Sequence, residues 1–84
     1  MKFSTTKNTT DVLEEIAKNH RIVRKENGFS PSELAERSGV SLGSLKRFEQ
    51  SGQISLESLV KLAHVLDRLN DFENMLLNGL YHGF

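Results

Sequence analysis

The chain has 84 residues, no cysteine, and equal numbers of acidic and basic side chains, so its formal net charge is zero. This length allows one small domain, and the lack of cysteine excludes both a disulfide framework and a thiolate metal site. No apolar run is long enough for a membrane span or a signal peptide. We therefore expect a cytoplasmic protein without a membrane partner.

The charges are unevenly distributed along the chain. Residues 18–47 carry seven lysines and arginines against three glutamates, a net charge of +4, whereas residues 48–84 carry two basic against five acidic side chains, a net charge of −3. A basic central segment followed by an acidic segment favours two surfaces with different partners. Ordinary solvated surface charge explains the same pattern equally well.

The first ten residues are rich in lysine, serine and threonine and predict a flexible arm, with residues 11–84 forming the folded domain. The first helix is expected over residues 11–27, because Val12, Ile16 and Val23 then share one face. Gly28 follows directly and supplies the left-handed conformation in which many helices end.

Three later helices share one start signal, a serine N-cap set between two apolar residues at the spacing of a hydrophobic staple. The caps are Ser30, Ser41 and Ser55, and the apolar pairs are Phe29 with Leu34, Val40 with Leu45, and Ile54 with Leu59. Pro31 at the first helical position and Glu33 two residues later strengthen the first of these starts. Gly39 and Gly52 separate the second, third and fourth helices.

The fourth helix has a buried stripe that consists of Leu59, Leu62, Ala63, Leu66 and Leu69. A fifth helix is expected from about Asn70, which has a capping-box spacing with Glu73. Its apolar residues are Phe72, Met75, Leu76, Leu77 and Leu80. No alternating strand pattern occurs, so the predicted fold class is all-α, with five short helices around one core.

Residues 30–52 read SPSELAERSGVSLGSLKRFEQSG. This segment resembles the phage repressor and Cro family of helix-turn-helix proteins through Leu34-Ala35-Glu36, Ser38-Gly39-Val40-Ser41, Ser44-Leu45, Phe48-Glu49 and Ser51-Gly52. The resemblance covers roughly residues 11–79 and implies a repressor-like five-helix bundle with a central helix-turn-helix. It also implies structural roles, which fall on Ala35 at the helix crossing, Gly39 in the turn, Val40 and Leu45 in the core, and Arg24 with Glu49 as an internal salt bridge.

The same resemblance implies that the chain binds double-stranded DNA with its third helix. The positions implied to contact DNA are Ser41, Leu42, Gly43, Ser44, Lys46 and Arg47. Arg47 is expected to pair with guanine, because its planar fork fits that base edge. Lys46 and Ser44 are expected to touch base or phosphate, and Leu42 a thymine methyl group. The alternative for both cations is ordinary solvated surface.

Two positions of this pattern are unusual. Gly43 weakens a helix relative to alanine, so either DNA approaches its backbone closely or a weak residue is tolerated near the helix end. The family often has a phosphate-binding glutamine where this chain has Pro31, which puts that contact in doubt. Ser30 or Ser32 is the expected replacement, and the arm could follow the DNA backbone.

The C-terminal segment is apolar on more than one helical face, which favours burial against a partner. The resemblance implies a two-fold homodimer on a near-palindromic site, with an interface that includes Met75, Leu76, Leu80, Tyr81 and Phe84. Completion of the monomer core is the alternative for these residues. The stretches SLGSLKRFE at residues 41–49, ISLESL at 54–59 and DFE at 71–73 also resemble antitoxins that pair with HipA-type kinases, which implies a toxin kinase as a further partner.

An enzyme is not expected. Residues 39–43 match the nucleophile-elbow pattern G-x-S-x-G, but that elbow requires a preceding strand and a large sheet, and Ser41 is better explained as a helix cap. His20, His64 and His82 are single and lack the spacing of zinc ligands, so they are ordinary surface or core histidines. No cofactor or metal is predicted.

Overall fold

The structure, a computed structural model, describes residues 7–73 and Met75. The described chain forms five helices, which are α1 (Thr9–Glu26), α2 (Pro31–Ser38), α3 (Leu42–Ser51), α4 (Leu56–Val65) and α5 (Asn70–Phe72). Within this part of the chain there is no strand. The predicted all-α, five-helix fold is confirmed.

Helix α1 begins two residues earlier than the sequence predicted. Asn8 is its N-cap and accepts a hydrogen bond from the Asp11 N–H at 2.9 Å, while the Asp11 carboxylate accepts one from the Asn8 N–H at 3.3 Å. This reciprocal box extends the helix over Thr9 and Thr10. The helix ends at Glu26, one residue before the predicted Asn27, and Gly28 has the predicted left-handed conformation, with a φ of 77°.

The three serine caps are confirmed. The hydroxyl oxygen of each serine accepts a hydrogen bond at 3.1 Å from the N–H three residues later, at Ser30, Ser41 and Ser55. At Ser30 the box is complete, because the Glu33 carboxylate accepts from the Ser30 N–H at 3.0 Å. These bonds to Ser30 hold the pKa of Glu33 below its ordinary value. Each cap contributes about 1 kcal/mol to its helix.

The prediction for the connection between α4 and α5 was wrong in two respects. Asp67 has a φ of 59° and closes α4, so that the Arg68 N–H bonds the Ala63 carbonyl at 2.8 Å. Leu69 consequently lies outside α4 and is 39% exposed instead of completing its buried stripe. Asn70 is the first residue of α5 and not its cap, because Leu69 precedes it in a helical conformation without a side-chain bond.

The core is formed by residues from α2, α3, α4 and the turn between α2 and α3. It comprises Leu34, Ala35, Val40, Leu45, Phe48, Leu62 and Leu66. Val23 of α1 packs against this cluster from the side. Helix α3 therefore lies between α1 and α2, with one face buried and the other free.

Candidate nucleic-acid interface

Helix α3 has sharply different faces. Leu45, Phe48 and Glu49 are buried, whereas Gly43, Lys46, Arg47 and Gln50 are exposed. Because successive helical residues are about 100° apart, Gly43, Arg47 and Gln50 lie along the middle of the exposed face. Ser44 and Lys46 lie at its two margins. The helix thus presents one continuous strip to solvent.

A buried ion pair fixes α3 against α1. Arg24 Nε donates to Glu49 Oε2 at 2.9 Å and Arg24 Nη2 donates to Glu49 Oε1 at 3.0 Å, a two-pronged geometry that fits the guanidinium fork. Both side chains are only 7% exposed. Arg24 Nη1 also donates to the Phe29 carbonyl at 2.9 Å, and Arg21 Nη2 donates to the Glu49 carbonyl at 2.7 Å. Two arginines of α1 thus hold the last turns of α3 in place.

His20 joins this cluster, although the sequence indicated only an ordinary surface or core histidine. Its Nδ1 donates to Glu49 Oε2 at 2.8 Å, and its ring packs edge-on to Phe48 with the centroids 4.9 Å apart. Burial lowers the pKa of His20 below 6.5, and the neighbouring Glu49 carboxylate only partly offsets this effect. At neutral pH the ring is therefore uncharged, and because the Glu49 carboxylate can only accept, the ring proton is on Nδ1. The 29-residue separation from Glu49 gave no local signal for this contact.

Burial also acts on Glu49 itself. Desolvation would raise the pKa of its carboxyl, but hydrogen bonds from Arg24 and His20, together with the positive charge of Arg24, outweigh that effect and hold the pKa below the ordinary value. Glu49 is consequently ionised at neutral pH, as its ion pair with Arg24 requires.

The turn between α2 and α3 is short and well packed. Gly39 has a φ of 79°, and its N–H bonds the Ala35 carbonyl at 3.0 Å. Val40 is 5% exposed and its N–H donates to Ser38 Oγ at 3.1 Å. Ala35 is buried in α2 and belongs to the core cluster. These contacts fix the position at which α3 begins.

The structure places the residues with predicted DNA contacts in different environments. Ser41, Gly43, Ser44, Lys46 and Arg47 are exposed on or beside the first turns of α3, and Ser32 is exposed in the first turn of α2. Leu42 is half-buried and packs against the core. Ser41 Oγ donates to Ser44 Oγ at 2.9 Å, so these two hydroxyls partly satisfy each other.

Lys46 and Arg47 are the cations of the exposed strip. Among residues 7–73, neither forms a salt bridge within 4 Å. Two cations with no acidic partner in the described chain attract an anion. Gln50, which the sequence analysis missed, extends the strip by one turn. Its spacing of seven residues from Gly43 was the available signal.

Comparison with known proteins agrees with this geometry. A family model described as helix-turn-helix (HTH_3) matches residues 21–70, which contain all of α2, α3 and α4. The chain belongs to this helix-turn-helix family, of the XRE type. Neither a search of curated proteins nor a search of solved structures found a match.

In this helix-turn-helix domain, α2 and α3 are the two helices joined by the turn, and α3 occupies the place of the recognition helix. Ser41, which occupies the central position of the G-x-S-x-G pattern, caps the recognition helix. In the described part of the domain no helix could cross a membrane, and no three His, Asp or Glu side chains are grouped as metal ligands.

The helix-turn-helix domain also has an apolar groove of about 400 Å³ between α1 and the α4–α5 region. Ile16, Leu56 and Met75 line it and are 42%, 63% and 56% exposed. Of the predicted dimer residues only Met75 is described. Leu76, Leu80, Tyr81 and Phe84 lie outside the described residues.

Proposed function

We propose that the chain is a transcriptional repressor that binds a near-palindromic operator as a homodimer, with α3 of each subunit in the major groove. The observation that carries this proposal is the exposed strip of α3, where Lys46 and Arg47 lie without an acidic partner among the described residues. The buried contacts of Arg24 and Glu49 hold that strip in a fixed orientation.

The angular positions on α3 divide the contacts by type. A residue at the middle of the exposed face points to the floor of the groove, where the base edges are, so Arg47 is the base-reading residue and pairs with guanine. Lys46 and Ser44, at the margins, face the sugar-phosphate walls and bind phosphate. Ser32, at the start of α2, binds a further phosphate in place of the glutamine that Pro31 replaces.

The dimer is proposed from the C-terminal segment. Met75 is exposed at the rim of the apolar groove and is followed by Leu76, Leu80, Tyr81 and Phe84. A two-fold arrangement of two such segments buries apolar surface on both subunits. It places the two recognition helices one turn of DNA apart, about 34 Å.

The groove also favours a second candidate function, an antitoxin that represses its own operon and inhibits a HipA-type kinase. An exposed apolar groove can receive a protein partner on a face other than α3. Kinase assays with the product of a neighbouring kinase gene test this candidate. Unchanged activity at a tenfold molar excess of the chain would exclude that kinase as its target.

DNA binding is tested by fluorescence anisotropy on duplexes selected by the wild-type chain from a random library, at several salt concentrations. We expect specific binding that weakens with salt, because phosphate contacts release counterions. Arg47→Ala should lose about 1–3 kcal/mol on the selected site. The matched control is Lys18→Ala, which removes an exposed cation of α1 outside both the strip and the apolar groove and should leave affinity unchanged. Selection of no sequence even at low salt would contradict the proposal.

A further inference from the structure

Gly43 has no explanation within the described fold. The other described glycines, Gly28, Gly39 and Gly52, all have φ between 77° and 80°, so each provides a left-handed residue after a helix. Gly43 does not have a positive φ, and a Cβ built there meets nothing within 4 Å. Neither backbone conformation nor space inside the described molecule requires glycine at this position.

The position of Gly43 indicates what requires it. It lies in the first turn of α3, on the middle line of the exposed strip, with Arg47 one turn further along the same line. Since alanine stabilises a helix relative to glycine, the missing side chain weakens the recognition helix, and no packing contact in the described molecule compensates for this. A partner that contacts this strip would compensate for this loss.

We infer that Gly43 is a specificity-determining residue whose missing Cβ leaves room for the C5-methyl group of a thymine on the major-groove floor. This inference rests on the proposed DNA binding. The middle of the strip faces the base edges, whereas the phosphates lie beside its margins. Thymine is the base that presents an apolar protrusion in the major groove, and a backbone Cα can contact that methyl group directly. The methyl group of any larger residue would occupy the same space.

A paired change in protein and DNA tests the inference. Deoxyuridine pairs as thymine does but lacks the C5-methyl group, so each thymine of the selected site is replaced by deoxyuridine in turn. The full-length wild-type chain and Gly43→Ala are measured on every duplex by fluorescence anisotropy. Asn19→Ala, an exposed and uncharged substitution in α1, controls for the gain in helix propensity.

We expect Gly43→Ala to be at least as stable as the wild type to heat but to bind the thymine site about tenfold or more weakly, as a mismatched base pair would. One deoxyuridine substitution should restore its affinity to within about threefold of wild type. The same substitution should weaken wild-type binding about fourfold, the value of one lost methyl contact. Asn19→Ala should match the wild type on every duplex.

Two results would overturn the inference while leaving DNA binding intact. The first is wild-type affinity of Gly43→Ala for the thymine site. The second is a loss of affinity that no deoxyuridine restores, since the closely approaching group would then be a phosphate or sugar. Failure of the wild-type chain to select any sequence is a different result, because it contradicts the proposed function itself.

Discussion

Glu49 is the residue on which the orientation of α3 depends. Its carboxylate accepts from Arg24 and His20, and its carbonyl accepts from Arg21, all of them residues of α1. Buried ion pairs add little net stability, because desolvation offsets most of the attraction. Their directional bonds fix geometry instead. The cluster therefore contributes mainly the fixed angle at which α3 presents Arg47 and Lys46.

The buried histidine makes stability depend on pH. Burial lowers the pKa of His20 below 6.5, so between pH 6.5 and that lowered value the unfolded chain binds a proton that the folded chain does not. The neutral, buried His20 makes its full contribution to stability above pH 6.5, and this contribution is lost as the pH falls through the lowered pKa. In addition, a second proton would lie on Nε2, which has no hydrogen-bond partner among the described residues.

We therefore expect the free energy of unfolding, measured with urea between pH 7.5 and 5.5, to decrease below pH 6.5 with a slope of at most about 1.4 kcal/mol per pH unit. His20→Gln should flatten the curve in this window, because its amide does not titrate. His64→Gln, at an exposed position, is the control and should keep the wild-type slope. Parallel curves for wild type and His20→Gln would show that His20 is not the titrating group.

Helix starts were more predictable than helix connections. The serine caps at Ser30, Ser41 and Ser55 depend on residues three positions apart, so the local sequence contains the whole signal. The end of α4 depends on Asp67, which adopts a left-handed conformation although it is not a glycine. Its sequence neighbours gave no such indication, and the predicted start of α5 was misassigned as a result.

The end of α3 depends on a close approach between helices that sequence alone does not reveal. Gly52 has a φ of 80°, and a Cβ there would lie 2.7 Å from the Leu13 carbonyl oxygen of α1. Gly39 has nearly the same φ of 79° but nothing within 4 Å of an added Cβ. The two glycines therefore share a backbone conformation but differ in the room available for a side chain.

This difference predicts that a glycine-to-alanine substitution lowers the free energy of unfolding less at Gly39 than at Gly52. Gly39→Ala should lose about 1–2 kcal/mol from the left-handed conformation alone. Gly52→Ala should lose about 1–3 kcal/mol more, because α1 and α3 must separate to accommodate the methyl group. Urea unfolding of both variants measures the difference. Equal losses would mean that the contact between Gly52 and Leu13 relaxes without cost.

At the scale of the whole molecule, the sequence predicted the candidate surface but not its internal geometry. The motif placed Lys46 and Arg47 on α3 because the helix-turn-helix pattern is local and nearly complete. Gln50 was missed, since its place in the strip follows from which face α1 and α2 bury. The net charge of zero gave no indication of this surface, whereas the motif and the charge distribution along the chain both pointed to it.

The proposed two-fold dimer predicts a strict dependence on operator spacing. Two recognition helices about 34 Å apart reach half-sites on the same face of the duplex, one helical turn apart. Five base pairs inserted at the centre rotate one half-site by about half a turn, so a single dimer can no longer reach both. Affinity should fall to that of an isolated half-site, as measured by anisotropy on the selected sequence.

A duplex with five central pairs exchanged but none inserted controls for composition and should bind within about threefold of the original. Unchanged affinity after the insertion would mean that each subunit binds DNA independently and would remove the dimer from the proposed function.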